Sequence, residues 1–152
     1  MTDPTEIADP TQPLDGHLGY HLRRATAAMQ ADLTRRVAAL GVTIVEMSML
    51  LVIEANPAIT QSQIGRLLGL KTANLAPLTA GLVERGWVKR DEAVGRSVGL
   101  SLTSKGRTLV RSLHTCIKAN EELLLARIPA GHRRQLVGLV RRIWSSGSND
   151  PP

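Results

Sequence analysis

Residues 60–106 have the sequence TQSQIGRLLGLKTANLAPLTAGLVERGWVKRDEAVGRSVGLSLTSKG. At its start, Thr60 and Gln63 have the spacing of a capping box, in which the threonine hydroxyl accepts from the third helical amide and the glutamine side chain bonds back to the cap. Apolar residues at helical spacing follow, and Gly69 is typical of a position just beyond a helix end. The pattern predicts a short helix over residues 60–68.

A second helix is predicted immediately afterwards, over residues 72–85. Thr72 can cap it, leucines recur along it at spacings of three and four, and Gly86 can end it. Pro77 lies inside this helix, at about the fifth position, where its missing amide removes one backbone hydrogen bond and can bend the axis. Because this position is near the helix start, we expect a cost below the ~3 kcal/mol of a central proline.

Two short stretches after this helix alternate apolar and polar residues. They are WVKR at 87–90 and SVGLSL at 97–102, and such alternation is typical of strands with one buried face. The pattern predicts two antiparallel strands around a loop from Asp91 to Arg96. A tight helix pair followed by a two-stranded ribbon is the order of a winged helix-turn-helix.

Helices are predicted on both sides of this unit. An apolar stripe from Leu14 to Leu33 predicts a long amphipathic helix that ends near Gly41. Thr43 can cap a helix that is apolar nearly all round, which favours a buried central position. The predicted fold class is therefore mainly α with a small two-stranded β-wing. The predicted organisation is a disordered acidic arm (1–13), one domain (14–145) with a winged-helix lobe (about 43–103) between helices at about 14–40 and 104–144, and a disordered tail (146–152).

The charge is unevenly distributed along the chain. The net charge of the whole chain is +6, and residues 1–15 carry −4, so residues 16–152 carry +10. Residues 60–107 alone contain eight Lys or Arg and three acidic residues. A compact unit this basic favours a polyanionic partner, double-stranded DNA, although a merely solvated cationic surface is the alternative for any single residue.

The residue types of the second helix fit the major groove. Its predicted polar face consists of Lys71, Thr72, Asn74, Pro77 and Thr79. Most of these side chains are small, which would let the helix lie deep in the groove, and Asn74 can bond an adenine edge with two hydrogen bonds. Pro77 either shapes this face and contacts a thymine methyl or is a tolerated irregularity. Arg96, at the loop tip, can enter the narrow minor groove. The predicted DNA-binding residues are Thr60, Gln61, Ser62, Lys71, Thr72, Asn74, Leu75, Pro77, Arg85, Lys89, Arg90 and Arg96.

In this order of motifs, the chain resembles the MarR-type transcriptional regulators over about residues 15–145. The resemblance is carried by the helix pair, by Leu82 to Gly86 with a hydrophobic-basic strand, by Asp91 opening the wing with Arg96 near its tip, and by Leu102-Thr103 with Gly106. Two departures are the weakly charged EAVG before Arg96 and Pro77 in the second helix, and they put the operator sequence in doubt.

The resemblance implies a homodimer formed through the first and last helices, a near-palindromic operator, and a repressor released by a small aromatic or organic-acid effector. The composition is consistent with a dimer, because residues 109–143 hold more Leu, Ile and Val than a small monomer could cover. For the effector, the predicted site combines a polar face of the first helix with an adaptable apolar wall, the alternative being a solvated face and ordinary core. Its predicted residues are His17, His21, Arg24 and Met47.

Other functions have less support in the sequence. No phosphate loop, nucleophile motif or apolar carboxylate pair points to an enzyme, and no catalytic residue, metal or cofactor is predicted. Cys116 is the one cysteine, which excludes an internal disulfide and fits a packing role better than redox sensing. Without a signal peptide or an apolar span, a cytoplasmic protein is expected. The alternatives are a winged-helix protein-interaction module without sequence-specific DNA binding and a redox- or metal-responsive regulator of the same fold.

Overall fold

A computed structural model describes residues 12–91 and 98–145. The predicted terminal segments, 1–13 and 146–152, lie outside these ranges except for Gln12 and Pro13, which belong to a short 3-10 turn. The described elements, in chain order, are α1 (Leu18–Ala38), α2 (Ile44–Ala55), β1 (Ile59–Thr60), α3 (Gln61–Leu68), α4 (Thr72–Glu84), β2 (Val88–Arg90), β3 (Gly99–Leu102), α5 (Ser104–Leu125) and α6 (Ala130–Ser145).

The helix ends follow the local chemistry of the sequence. Thr60 and Gln63 form the predicted capping box at α3, with the Thr60 amide 2.9 Å from Gln63 Oε1. Thr43 caps α2 as predicted, and Glu46 completes a second capping box there. Gly69 ends α3 with φ of 63°, a left-handed conformation that glycine adopts without steric cost. These ends fix the lengths of the two helices and the turn that joins α3 to α4.

The sheet contains one more strand than the sequence predicted. The two expected strands are β2 and β3, which pair antiparallel with Val88 opposite Leu102. The additional strand is β1, two residues long, which pairs antiparallel with β3 through Ile59 and Leu100. It therefore ties the start of α3 to the wing.

The core of the lobe lies around α2, as its apolar composition predicted. Met49, Leu50 and Ile53 are buried and pack with residues of every other element except α6, including Ile64 of α3. Leu113 of α5 completes this core. Because α2 lies among the other elements, it holds the wing and α5 in fixed positions against α3.

The outer helices leave much apolar surface exposed. On α1, Leu18 is 63% exposed and Met29 is 38% exposed. Except for half-buried Leu136, the large apolar side chains of α6 are also exposed, and Trp144 near its end is 66% exposed. The connection between α1 and α5 is partly polar, because buried Asn120 donates to the Met29 carbonyl at 3.3 Å and to Asp32 at 3.2 Å. Hydrogen bonds from Arg36 and Asn120 hold the pKa of Asp32 below its ordinary value.

Candidate nucleic-acid interface

The two helices of the predicted helix-turn-helix approach each other at Gly65. A β-carbon at this position would lie 2.8 Å from Leu75 Cδ1 and 3.0 Å from the Leu70 carbonyl oxygen. Leu70 closes the turn by donating its amide to the Gly65 carbonyl at 2.9 Å. This close packing makes α3 and α4 one unit, and the glycine that permits it was not recognised from the sequence.

The outward face of α4 consists mostly of small side chains, as predicted, but two of the predicted residues, Leu75 and Thr79, do not lie on it. Lys71 and Asn74 are exposed, and so is Pro77 at the sixth position of the helix. Lys71 rather than Thr72 is the N-cap residue. Sequence reasoning missed the alanines that share this exposed face, which are Ala73, Ala76 and Ala80.

Two residues of α4 lie on the inner face, contrary to prediction. Leu75 is 1% exposed and belongs to the core, so its predicted DNA contact is wrong. Thr79 was expected on the polar face but is fully buried, and its hydroxyl has no hydrogen-bond partner among the described residues. Both errors have one physical cause: the helix turns its narrow apolar stripe and the adjacent threonine toward α3 and the sheet.

The first turn of α3 and the base of the wing form a shared crevice. Thr60 and Gln61 are half-buried there, Ser62 is exposed, and Arg90 lies on the opposite side at the end of β2. The crevice has a volume of about 310 Å³. The structure thus brings together four of the predicted DNA-binding residues from β1, α3 and β2.

Arg85 is directed inward, so its predicted role as a phosphate contact is wrong. Its side chain forms an ion pair with Glu46, donates from Nη1 to the Gly41 carbonyl at 3.0 Å, and stacks on the Trp87 ring with 4.2 Å between Cζ and the ring centroid. A guanidinium with these partners is not available to a ligand in the same geometry.

Two further cationic residues were predicted to contact DNA, Lys89 and Arg96. Lys89 pairs with Asp91 at 3.4 Å and stays mostly exposed. Asp91 also accepts from Ser101 Oγ at 2.6 Å, and that oxygen accepts in turn from the Ala58 amide at 3.1 Å. Arg96 lies outside the described residues. The base of the wing is therefore anchored to the loop between α2 and β1.

Comparison with known proteins identifies this architecture. The model of the MarR family matches residues 40–97, which cover α2, the helix pair and the first strand of the wing. The chain is similar to the MarR family over these residues.

MarR-family relatives match over most of this chain. The HTH-type transcriptional repressor Rv2887 of Mycobacterium tuberculosis is 26% identical over 133 residues, which are 86% of this chain and 96% of the relative. The repressor CouR, solved bound to a 23-mer DNA duplex, is 28% identical with a TM-score of 0.82 over 90% of this chain and 98% of its own. Rv2887 in complex with p-aminosalicylic acid is 25% identical with a TM-score of 0.70, over 83% of this chain and 97% of its own.

The predicted effector residues of this chain do not share one environment. His17, His21 and Arg24 are exposed at the start of α1, and a ring nitrogen of His21 lies 2.7 Å from the Asp15 carbonyl oxygen. Met47 is a buried core residue. A cavity of about 240 Å³ between α2, β3 and α5 contains none of these four side chains; its lining is Ile53, Glu54, Pro57, Ser101, Leu102, Arg107 and Arg111.

The described part of the chain also bears on the two alternatives of a redox-responsive and a metal-responsive regulator. Cys116 is half-buried and packs against the core, as expected of a packing residue. Across residues 12–91 and 98–145, no group of three or more His, Cys, Asp or Glu is placed to hold a metal ion. None of the described helices is long and apolar enough to cross a membrane.

Proposed function

We propose that this chain is a homodimeric, sequence-specific DNA-binding repressor that a small aromatic or organic acid releases from its operator. The observation that carries the proposal is the outward face of α4. This face combines Asn74, which can read a base edge, with alanines small enough to let the helix approach the floor of the major groove. CouR, which has the higher TM-score of the two solved structures described above, was solved bound to DNA and supports this use of the fold.

Cations at the edges of this face supply the contacts to phosphate. Lys71 is exposed at the start of α4, and Arg90 is exposed at the end of β2. Arg66 is exposed on α3 as well. Contacts of this kind position a protein on the duplex but carry no sequence information, whereas Asn74 supplies specificity. No catalytic activity is part of the proposal.

Exposed apolar surface on α1 and α6 supports the homodimer. Large apolar side chains that are exposed together on one helix are typical of a protein interface. On α6, Leu136, Val140 and Ile143 recur at helical spacing, and Val140 and Ile143 are exposed in the protomer, with Val137 70% exposed beside them. A second copy that covers this face would also place two α4 helices on one side of a duplex, as a near-palindromic operator requires.

The DNA test is binding to the region upstream of the protein's own gene at several salt concentrations. We expect the logarithm of the affinity to fall linearly with the logarithm of the salt concentration, because phosphate neutralisation releases counterions. A flat salt response would rule out the proposed function. Steep salt dependence with equal affinity for all sequences would favour the interaction module instead.

The dimer test uses sedimentation at several protein concentrations. Val137→Asp places a charge in the proposed interface and should shift the protein toward monomer. The control is Gln135→Glu, which adds a charge to an exposed position of the same helix outside the apolar face. An unchanged dimer in the Val137→Asp variant would show that α6 does not form the interface.

The effector test is a thermal-shift and operator-release assay with benzoic and hydroxybenzoic acids. We propose Arg24 and His21 as the carboxylate-binding groups, and the complex of Rv2887 with p-aminosalicylic acid supports an aromatic acid as the ligand class. Arg24→Ala should weaken release by the acid while operator binding without acid is retained. Equal release from both proteins would contradict this assignment.

A further inference from the structure

Arg85 joins four separate parts of the chain. Besides its ion pair with Glu46, it donates from Nε to the Gly81 carbonyl and from Nη1 to the Gly41 carbonyl, each at 3.0 Å. Its guanidinium also covers the Trp87 ring. All three nitrogens of the guanidinium therefore have acceptors on different segments, in the forked geometry that distinguishes arginine from lysine.

Glu46 is the ion-pair partner of Arg85. It is 8% exposed, and its Oε2 accepts from the amide and hydroxyl of Thr43 at 2.8 and 3.0 Å, whereas its Oε1 accepts from Arg85. One carboxylate thus caps α2 and holds the end of α4 at the same time. Each oxygen has a distinct partner, so the carboxylate has a single defined orientation.

The segments that meet here belong to two functionally different regions. Gly41 lies in the turn after α1, which carries the exposed apolar stripe. Gly81 lies in the last turn of α4, which carries the proposed DNA-facing surface, and Arg85 directly follows that helix. Lys105 of α5 adds a hydrogen bond from Nζ to the Arg85 carbonyl at 2.9 Å. Arg85 is therefore a direct polar connection from the end of α4, the helix proposed to enter the groove, to α2 through Glu46 and to the turn after α1 through Gly41. Helix α1 is one of the two helices proposed to form the dimer.

We propose that Arg85 is a positioning residue that sets the separation of the two α4 helices in the dimer and, through it, the half-site spacing the protein accepts. This inference rests on the proposed dimeric DNA-binding function. Successive base pairs lie about 3.4 Å apart, so a displacement of each α4 by about half that distance changes the preferred spacing by one base pair. Helices α3 and α4 pack closely on each other at Gly65, so we expect this helix pair to stay intact when the contacts of Arg85 are weakened.

The test compares operators whose half-sites are separated by the natural spacing and by one base pair more or less. Wild-type protein should lose about tenfold or more in affinity on the altered operators, in line with the cost of a mispositioned base contact. Arg85→Lys keeps the cation but loses the fork, and Glu46→Gln keeps the shape but loses the charge. Both should reduce the discrimination between spacings by at least about threefold while binding to a single half-site is retained.

Arg111→Lys is the matched control, because the Arg111 guanidinium donates to Thr108 within its own helix, α5. It should discriminate between spacings as the wild type does. If Arg85→Lys and Glu46→Gln discriminate as sharply as the wild type, the inference is overturned while the proposed function stands. Loss of folding by Arg85→Lys also overturns it, since Arg85 would then serve the fold itself. A wild type without operator preference would instead defeat the proposed function.

Discussion

A β-carbon on Gly106 would lie 1.9 Å from the carbonyl oxygen of Trp87. The first turn of α5 therefore lies directly against the backbone at the start of β2. Thr103 fixes this approach, because its amide donates to the same Trp87 oxygen at 3.0 Å and its hydroxyl donates to the Gly86 carbonyl at 2.6 Å. The end of α4, the wing and α5 thus meet at one backbone contact with no room for a side chain.

Gly106→Ala should destabilise the protein by about 3 kcal/mol, because the obstacle is backbone and α5 must move to admit the methyl group. Chemical denaturation at a fixed protomer concentration measures this loss. Gly138→Ala is the control, since nothing lies near a β-carbon there and alanine is favoured over glycine inside a helix. Equal stabilities of the two variants would contradict the contact.

Glu46→Gln should cost about 2 kcal/mol at neutral pH, because it removes charge-assisted hydrogen bonds. Burial by itself would raise the pKa of Glu46, but the hydrogen bonds from Thr43 and Arg85 outweigh burial and hold the pKa below its ordinary value of 4.5. Ionised Glu46 therefore stabilises the fold above pH 4.5, and this contribution is lost as the pH falls through the folded pKa. Denaturation between pH 7 and pH 3 should show the two proteins converging in acid; a constant difference would contradict the prediction.

Asn74→Ala should relax specificity at one base pair of each half-site, with a loss of ~1–3 kcal/mol on the preferred operator. Competition among operators substituted at single positions measures it. Asn56→Ala is a matched control, because Asn56 is an exposed asparagine at the end of α2 that bonds the Val52 carbonyl. If Asn74→Ala keeps the wild-type base preferences, Asn74 does not contact a base.

Lys71→Ala should weaken binding on all sequences alike and reduce the slope of affinity against salt by about 0.9, the value for one phosphate contact. Lys118→Ala removes an exposed lysine of α5 that pairs loosely with Glu122 and should leave the slope unchanged. A full wild-type slope in the Lys71→Ala variant would place that lysine away from the duplex. Arg96→Ala is likewise expected to weaken binding generally.

Ser101→Ala should destabilise the wing base by ~1–2 kcal/mol, because it leaves the Ala58 amide and the Asp91 carboxylate without their shared partner. Ser101→Thr retains the hydroxyl and should restore stability. Hydrogen exchange at β3 measures the effect locally. Faster exchange in both variants would show that the hydroxyl is not the cause.

The helices were predictable from sequence because their end signals are local. Thr60 with Gln63, Thr43 and Gly69 each act within one turn of the helix that they start or stop, so the interacting residues are close together in the sequence. The wing strands were predictable for the same reason, since alternation is a local pattern.

What the sequence did not reveal depends on distant partners. Strand β1 exists only because Ile59 meets Leu100 about 40 positions later, and two residues have no detectable periodicity. Arg85 seemed free because Gly41 and Glu46, which bind it, lie far away in the chain. The burial of Thr79 likewise follows from how α4 packs on its neighbours rather than from its own sequence.

The scarcity of aromatic residues gives this protein two built-in optical reporters. Trp87, half-buried beneath Arg85, and Trp144, exposed on α6, are its only tryptophans. In a Trp144→Phe variant, the fluorescence of the remaining Trp87 reports on its contact with Arg85 at the end of α4. In a Trp87→Phe variant, the fluorescence of the remaining Trp144 reports on the proposed association of two chains. Fluorescence quenching and emission wavelength, measured on the two variants, can therefore distinguish movement of the winged-helix lobe from association of the chains without an attached dye.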